Sequence, residues 1–163
     1  MSRNVKKLVE NFELTARAVK DRLKKSGFLL PVKHGNGIKY KHCLVTKNKD
    51  GWYDVVNLHN NKIVYQKSLS SIKLAVAVAI YLGNGKSIPN ITQFDKVDKQ
   101  YAHYSNEAQL FTHHLNIAIK KGDEVKQDLY QSRYLLVYEQ LKVVKKDVDR
   151  ILHQAEQILF DAK

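Results

Sequence analysis

Residues 94–118 read FDKVDKQYAHYSNEAQLFTHHLNIA, and residues 134–158 read YLLVYEQLKVVKKDVDRILHQAEQI. In the first, Phe94, Val97, Tyr101, Tyr104, Ala108, Phe111, Leu115 and Ala118 follow one another at alternating steps of three and four. In the second, Tyr134, Val137, Leu141, Val144, Val148, Ile151, Ala155 and Ile158 do the same. That spacing draws one narrow stripe along a helix, the a/d seam of a coiled coil. Two long helices are therefore expected, broken at Gly122, with Asp123 placed to cap the second. Phe94, Tyr101, Tyr104, Phe111, Leu115, Leu141, Val144, Val148 and Ile151 are the expected seam contacts. Val125, Leu129, Leu136 and Val143 fall off that stripe. This second apolar flank calls for packing on the rest of the chain or on another copy.

Upstream, the periodicity changes. Residues 4–25 place Val5, Val9, Phe12, Ala16, Val19 and Leu23 on one helical face, with Gly27 as the stop. Residues 28–37, punctuated by Pro31, Gly35, Asn36 and Gly37, read as a loop. Three short strands follow: Ile38–Lys47, Trp52–Leu58 and Lys62–Gln66. Asn48-Lys49-Asp50-Gly51 supplies a hairpin turn and Asn60-Asn61 the next. Ser68 or Ser70 caps a further helix ending at Gly83. Its run Leu74–Ile80 is apolar all round, so it is expected to be buried, with a buried strand as the alternative. The resulting expectation is an α+β fold: N-terminal helix, three-stranded antiparallel β-meander, buried helix, then a long C-terminal antiparallel helical hairpin. The expected organisation is an α+β unit over 1–83, a linker over 84–90, and a coiled-coil hairpin over 91–163 that is free to pack on the first part.

Composition narrows the function classes. With 44% apolar residues, the 163-residue chain can bury a real core. The single Cys43 excludes an internal disulfide framework and fits a reducing compartment. No apolar leader is visible at the N-terminus, and the longest apolar run, Leu74–Leu82, is far short of the roughly 20 residues a bilayer requires. A cytoplasmic protein with no membrane partner is expected. The net charge is +12, and residues 1–50 carry thirteen Lys or Arg against four Asp or Glu, or +9 of it. Such a field attracts nucleic acid, although solubility alone accounts for many lysine-rich chains. Aromatics interleaved with lysines on the meander repeat that theme. Tyr40, Trp52, Tyr53 and Tyr65 sit among Lys39, Lys41, Lys47, Lys49, Lys62 and Lys67, and aromatic rings on a basic sheet stack single-stranded bases. Core packing of those rings is the favoured alternative, because a short meander needs a helix on one face.

Chemical motifs are weak. Gly83-Asn84-Gly85-Lys86-Ser87 resembles the end of a phosphate-binding loop, but Ile80 occupies the position of its first glycine. His103, His113 and His114 lack the spacing of a zinc site. Cys43 and His42 are neighbours on an expected strand, which points their side chains to opposite faces. The carboxylates Asp95, Asp98, Glu107, Asp123, Glu124, Glu139 and Asp147 do not pair at the spacing of a di-metal bundle. No catalytic residue, metal ligand or cofactor is expected.

The order helix–strand–strand–strand–helix over 4–82 resembles the double-stranded-RNA-binding domain in topology. Ser70-Ser71-Ile72-Lys73-Leu74-Ala75 carries only one lysine where that family has a basic cluster, and its Gly-Pro-x-His loop is missing. The stretch Asn48-Lys49-Asp50-Gly51-Trp52-Tyr53-Asp54-Val55, then Ile63-Val64-Tyr65, an Ala-rich helix and two Tyr-rich helices resembles small uncharacterised proteins of tailed marine bacteriophages. That resemblance implies a host cytoplasm and no known activity. The function expected is a non-enzymatic assembly protein, a homo-oligomer with a dimer favoured, joined through its long helices. The alternative is non-specific nucleic-acid binding through Lys39, Lys41, Lys47, Lys49 and Trp52.

Overall fold

The computed structural model describes residues 32–161. The expected helix over 4–25 and its stop at Gly27 lie outside the described residues. Four strands run in order, β1 (Val32–His34), β2 (Gly37–Tyr40), β3 (Cys43–Lys47) and β4 (Tyr53–Asn57). Each pairs antiparallel with its sequence neighbour, so the sheet is a meander. Three helices follow, α1 (Ile72–Gly83), α2 (Ile91–Lys121) and α3 (Glu124–Asp161).

The antiparallel β2–β3–β4 meander is present, but its boundaries differ from those expected. The expected strand Ile38–Lys47 turns back on itself at Lys41-His42, with Tyr40 opposite Cys43 and Lys41 at φ 50°. This turn shifts the alternation by one place. Ile38, Tyr40, Cys43 and Val45 all become core residues, and Leu44 moves to the other face, where it is half-buried. Part of the expected loop over 28–37 is instead β1, which pairs with β2 across the Gly35-Asn36 turn.

The Asn48–Gly51 turn is present. The Asn48 carboxamide oxygen accepts the Asp50 and Trp52 amides at 3.0 Å each, and Gly51 supplies the positive φ of 83° that a side chain would strain. The expected third strand over 62–66 does not form a ladder. It bridges β4 only at Ile63–Val56, and both the Val64 and Tyr65 amides converge on the Val55 carbonyl. That doubling ends the register and lets Tyr65 turn in to meet the Phe94 ring edge-on at 6.4 Å.

Helix α1 is buried on every side, as its apolar run requires: Leu74 through Ile80 are all at most 1% exposed. It contacts β2, β3 and β4 on one side and α3 on the other. The molecule thus has three layers, with α1 between the sheet and the long helices. Fully burying each large aliphatic side chain of such a helix contributes ~1.5–3 kcal/mol. The residue before α1 is Ser71, which makes no side-chain cap. Ser70, expected as a cap, is committed elsewhere: its amide and hydroxyl donate to the Asp98 carboxylate at 2.8 and 2.7 Å, tying α1 to α2. Ser68 donates its hydroxyl to Asp54.

One hydrophobic core joins Ile38, Val45 and Val55 of the sheet, Ile72 and Leu74 through Tyr81 of α1, Phe94 and Val97 of α2, and Val144, Val148, Leu152, Ala155 and Leu159 of α3. Residues from both sides of the 84–90 linker share it. Gly122 at φ 67° ends α2, and the Asp123 carboxylate accepts the Lys126 amide at 3.1 Å. Past this turn α3 packs against α2.

Candidate interaction surface

The two long helices outrun the core. Their proximal parts, the start of α2 and the second half of α3, join the core cluster, and α3 packs on α1. Residues 110–143, the end of α2 and the first half of α3, contribute nothing to that cluster, and the two helices pack on each other there as an arm. Within this arm Ala118, Val137 and Leu141 are buried. His114 stacks on Tyr130 at 5.1 Å between ring centroids, and the Gln127 side chain donates to the Ala118 carbonyl at 3.4 Å.

The expected seam residues all face inward. Phe94, Leu141, Val144 and Val148 are buried. Tyr101, Tyr104, Phe111, Leu115 and Ile151 are half-buried. Burial pushes the Tyr101 phenol above its ordinary range, partly offset by a hydrogen bond with Ser105. The seam is continuous, but its two ends do different things. Phe94, Val144 and Val148 belong to the main core, whereas Phe111, Leu115 and Leu141 hold only the arm together.

The outside of the arm is unusually apolar. Eleven large hydrophobic residues are exposed among the described residues, and nine of them lie on it: Leu110, Ile117, Ile119, Val125, Leu129, Leu135, Leu136, Tyr138 and Val143. Val125 is 79% exposed, Leu136 71% and Val143 58%. At 100° per residue, Val125, Leu129, Leu136 and Val143 form one stripe on α3, about 110° around from its buried face. The second flank visible in the sequence is thus covered neither by the sheet nor by α1. Isolated apolar residues on a surface are ordinary, but a contiguous stripe marks an interaction face. Charge points the same way. Residues 110–143 carry five basic residues (Lys120, Lys121, Lys126, Arg133, Lys142) and four acidic ones (Asp123, Glu124, Asp128, Glu139), a net of +1 in a chain of +12.

The lysine–aromatic set does not converge. Tyr40 and Tyr53 are core residues at 2% and 4% exposure, so neither ring offers a stacking platform. Tyr65 packs on Phe94, and Trp52 is half-buried. Lys41 sits in the β2–β3 turn and donates to the Asn84 side chain. Lys47 and Lys49 lie at the opposite end of β3, and Lys39 lies on the face of β2 away from Tyr40.

The remaining motifs settle as structure. Cys43 is fully buried, and burial pushes its thiol up. Its neighbour His42 is exposed in a turn. The Gly83–Ser87 stretch begins on the last residue of α1, not after a strand, with the Lys86 amide on the Tyr81 carbonyl. His103 pairs with Glu107 at 3.3 Å, far along α2 from His114. Among the described residues no cluster of three or more His, Cys, Asp or Glu side chains is placed to hold a metal, and no helix is long and apolar enough to cross a membrane. In comparisons with protein-family models, curated proteins and solved structures, the chain has no significant match.

Proposed function

We propose that this protein is a non-enzymatic assembly protein that self-associates through its long amphipathic helices. The observation that carries this reading is the concentration of exposed aliphatic residues on a single arm that is close to neutral. Two helices alone leave much of their apolar surface in water, and a second pair of helices turns such a seam into a bundle core. The face spans about 27 Å along α3 and about 20 Å across two helices, some 500 Å² of projected area. That is of the same order as the roughly 800 Å² per partner that stable complexes bury. A copy of the chain meets little repulsion from the arm itself, whose residues 110–143 carry a net charge of only +1.

The test is light scattering coupled to size-exclusion chromatography over a hundredfold concentration range. The expected mass is that of a dimer. Leu136→Asp, at a 71% exposed position, is expected to return the monomer mass with unchanged helical content. Equal masses for the two proteins at every concentration refute the reading.

The charge distribution supports a second reading, non-specific nucleic-acid binding. Removing the arm's +1 from +12 leaves +11 on the rest of the chain. Exposed Lys41, Lys47 and Lys49 are then phosphate contacts together with Lys39, and Trp52, which is half-buried, is the candidate ring among them. Binding to a labelled oligonucleotide is expected to weaken steeply with salt. Absence of binding at low salt removes this reading.

A further inference from the structure

We infer that two copies dock arm against arm with their α3 helices antiparallel, so that Val125 of one copy lies beside Val143 of the other. This rests on the self-association reading above and specifies its geometry. Two observations carry it.

The first is the stripe itself. Val125, Leu129, Leu136 and Val143 are exposed at 79%, 43%, 71% and 58%, and they follow one another at helical steps of four and seven. The step from Val125 to Val143 is eighteen residues, five full turns at 3.6 residues per turn, so the stripe stays on one side of α3 and a partner helix can lie along it. The stripe is confined to the arm and ends near Val143. Beyond it α3 enters the core, so the partner helix has to lie along the arm.

The second is charge. Residues 123–128, around the first half of the stripe, hold Asp123, Glu124 and Asp128 against Lys126, a net of −2. Residues 142–147, at the other end, hold Lys142, Lys145 and Lys146 against Asp147, a net of +2. These two windows are centred on residue 135, within one residue of the midpoint of Val125 and Val143. An antiparallel copy centred there sets the acidic end of each helix against the basic end of the other. A parallel copy sets like against like at both ends, which costs stability at each. A two-fold axis across the helices produces this arrangement, and a two-fold interface is the commonest closed form of self-association.

Disulfide trapping tests the geometry on the full chain, with Cys43 left in place because it is fully buried. Val125→Cys and Val143→Cys are each expressed alone and then together, and all are oxidised with copper–phenanthroline. Both positions are exposed, so the fold tolerates the change. The expected result is a crosslinked dimer only where the two variants are combined. Alone, two copies of Cys at 125 lie about 27 Å apart across the antiparallel pair, far beyond the ~7 Å limit between Cα atoms. Crosslinking of each variant with itself means a parallel pair and overturns the inference. A dimer mass by light scattering without any crosslink places the contact elsewhere and overturns the inference, while self-association stands. A monomer mass at every concentration overturns both and assigns the stripe to a different partner.

Discussion

Replacing Gly83 with alanine sets two effects of opposite sign against each other. Gly83 is the last residue of α1 and has no positive φ, so helix propensity alone predicts that alanine stabilises by up to ~1 kcal/mol. The space around it says otherwise. A Cβ there lies 2.7 Å from Cδ1 and 2.8 Å from Cε1 of Tyr40, where carbon–carbon contacts prefer roughly 3.5–4.0 Å. The ring has to retreat by about 1 Å, and it has nowhere to go. Tyr40 is 2% exposed, and Asn84 donates to its hydroxyl at 2.9 Å while also donating to the Ile80 carbonyl. Overpacking of this kind costs ~1–3 kcal/mol, so a net loss of ~1–2 kcal/mol is expected. In a chain of this size that lowers the melting temperature by roughly 3–8 °C. The assay is urea denaturation at fixed protein concentration, repeated in a Tyr40→Ala background. With the ring gone, the alanine is expected to become neutral or stabilising, a coupling of ~1 kcal/mol or more between the two sites. If Gly83→Ala leaves the parent chain as stable or more so, the tight packing of α1 on β2 is refuted.

Two further predictions follow from the links between layers. Asp98→Ala removes the carboxylate oxygen that accepts both the Ser70 amide and the Ser70 hydroxyl, leaves the hydroxyl only the backbone carbonyl of residue 98 at 3.0 Å, and is expected to cost ~1–3 kcal/mol by chemical denaturation; an unchanged midpoint refutes the tie. Alkaline pH is expected to destabilise the fold, because burial pushes up the Cys43 thiol and the Tyr40, Tyr53, Tyr65, Tyr81 and Tyr101 phenols. The fold favours the neutral forms. Their contribution is complete below the ordinary values of 9.0 and 10.0 and is lost as pH climbs through the raised folded values. Urea midpoints at pH 7.5 and 10.5 check this, and Tyr53→Phe with Tyr101→Phe is expected to flatten the fall; a flat profile in the parent chain contradicts it.

The helices were legible because long apolar periodicity survives local detail. The steps of three and four put Val144 and Val148 in the core, and Phe111 and Leu115 on the arm seam. The all-apolar Leu74–Ile80 run likewise requires burial on every side, which its place between the sheet and α3 provides. The strands were less legible, for a specific reason. The turn that splits the expected strand at residues 41–42 is made by Lys and His, with no Gly, Asn, Asp or Pro to mark it. Its trace in the sequence is the change of phase from Ile38 and Tyr40 to Cys43 and Val45, three residues apart where a continuous strand needs an even number. At 62–66 the β-branched residues favour a strand, but the pull of Tyr65 into the core beside Phe94 wins over the ladder. The split of the exposed stripe from the buried seam was visible as an off-seam flank; that nothing within the described residues covers it needed the arm's separation from the core cluster.

That separation follows from a mismatch of lengths. Helix α1 has 12 residues, whereas α2 has 31 and α3 has 38. At 1.5 Å per residue, α1 covers about 18 Å of helices roughly 46 and 57 Å long. A chain selected only to stabilise its own core gains little from the remainder, since two helices in water are marginal and exposed leucine and valine add nothing. Polar residues at 125, 129, 136 and 143 would serve such an arm better. Aliphatic residues at all four positions, with acid at one end of the stripe and base at the other, are what the proposed docking of a second copy calls for.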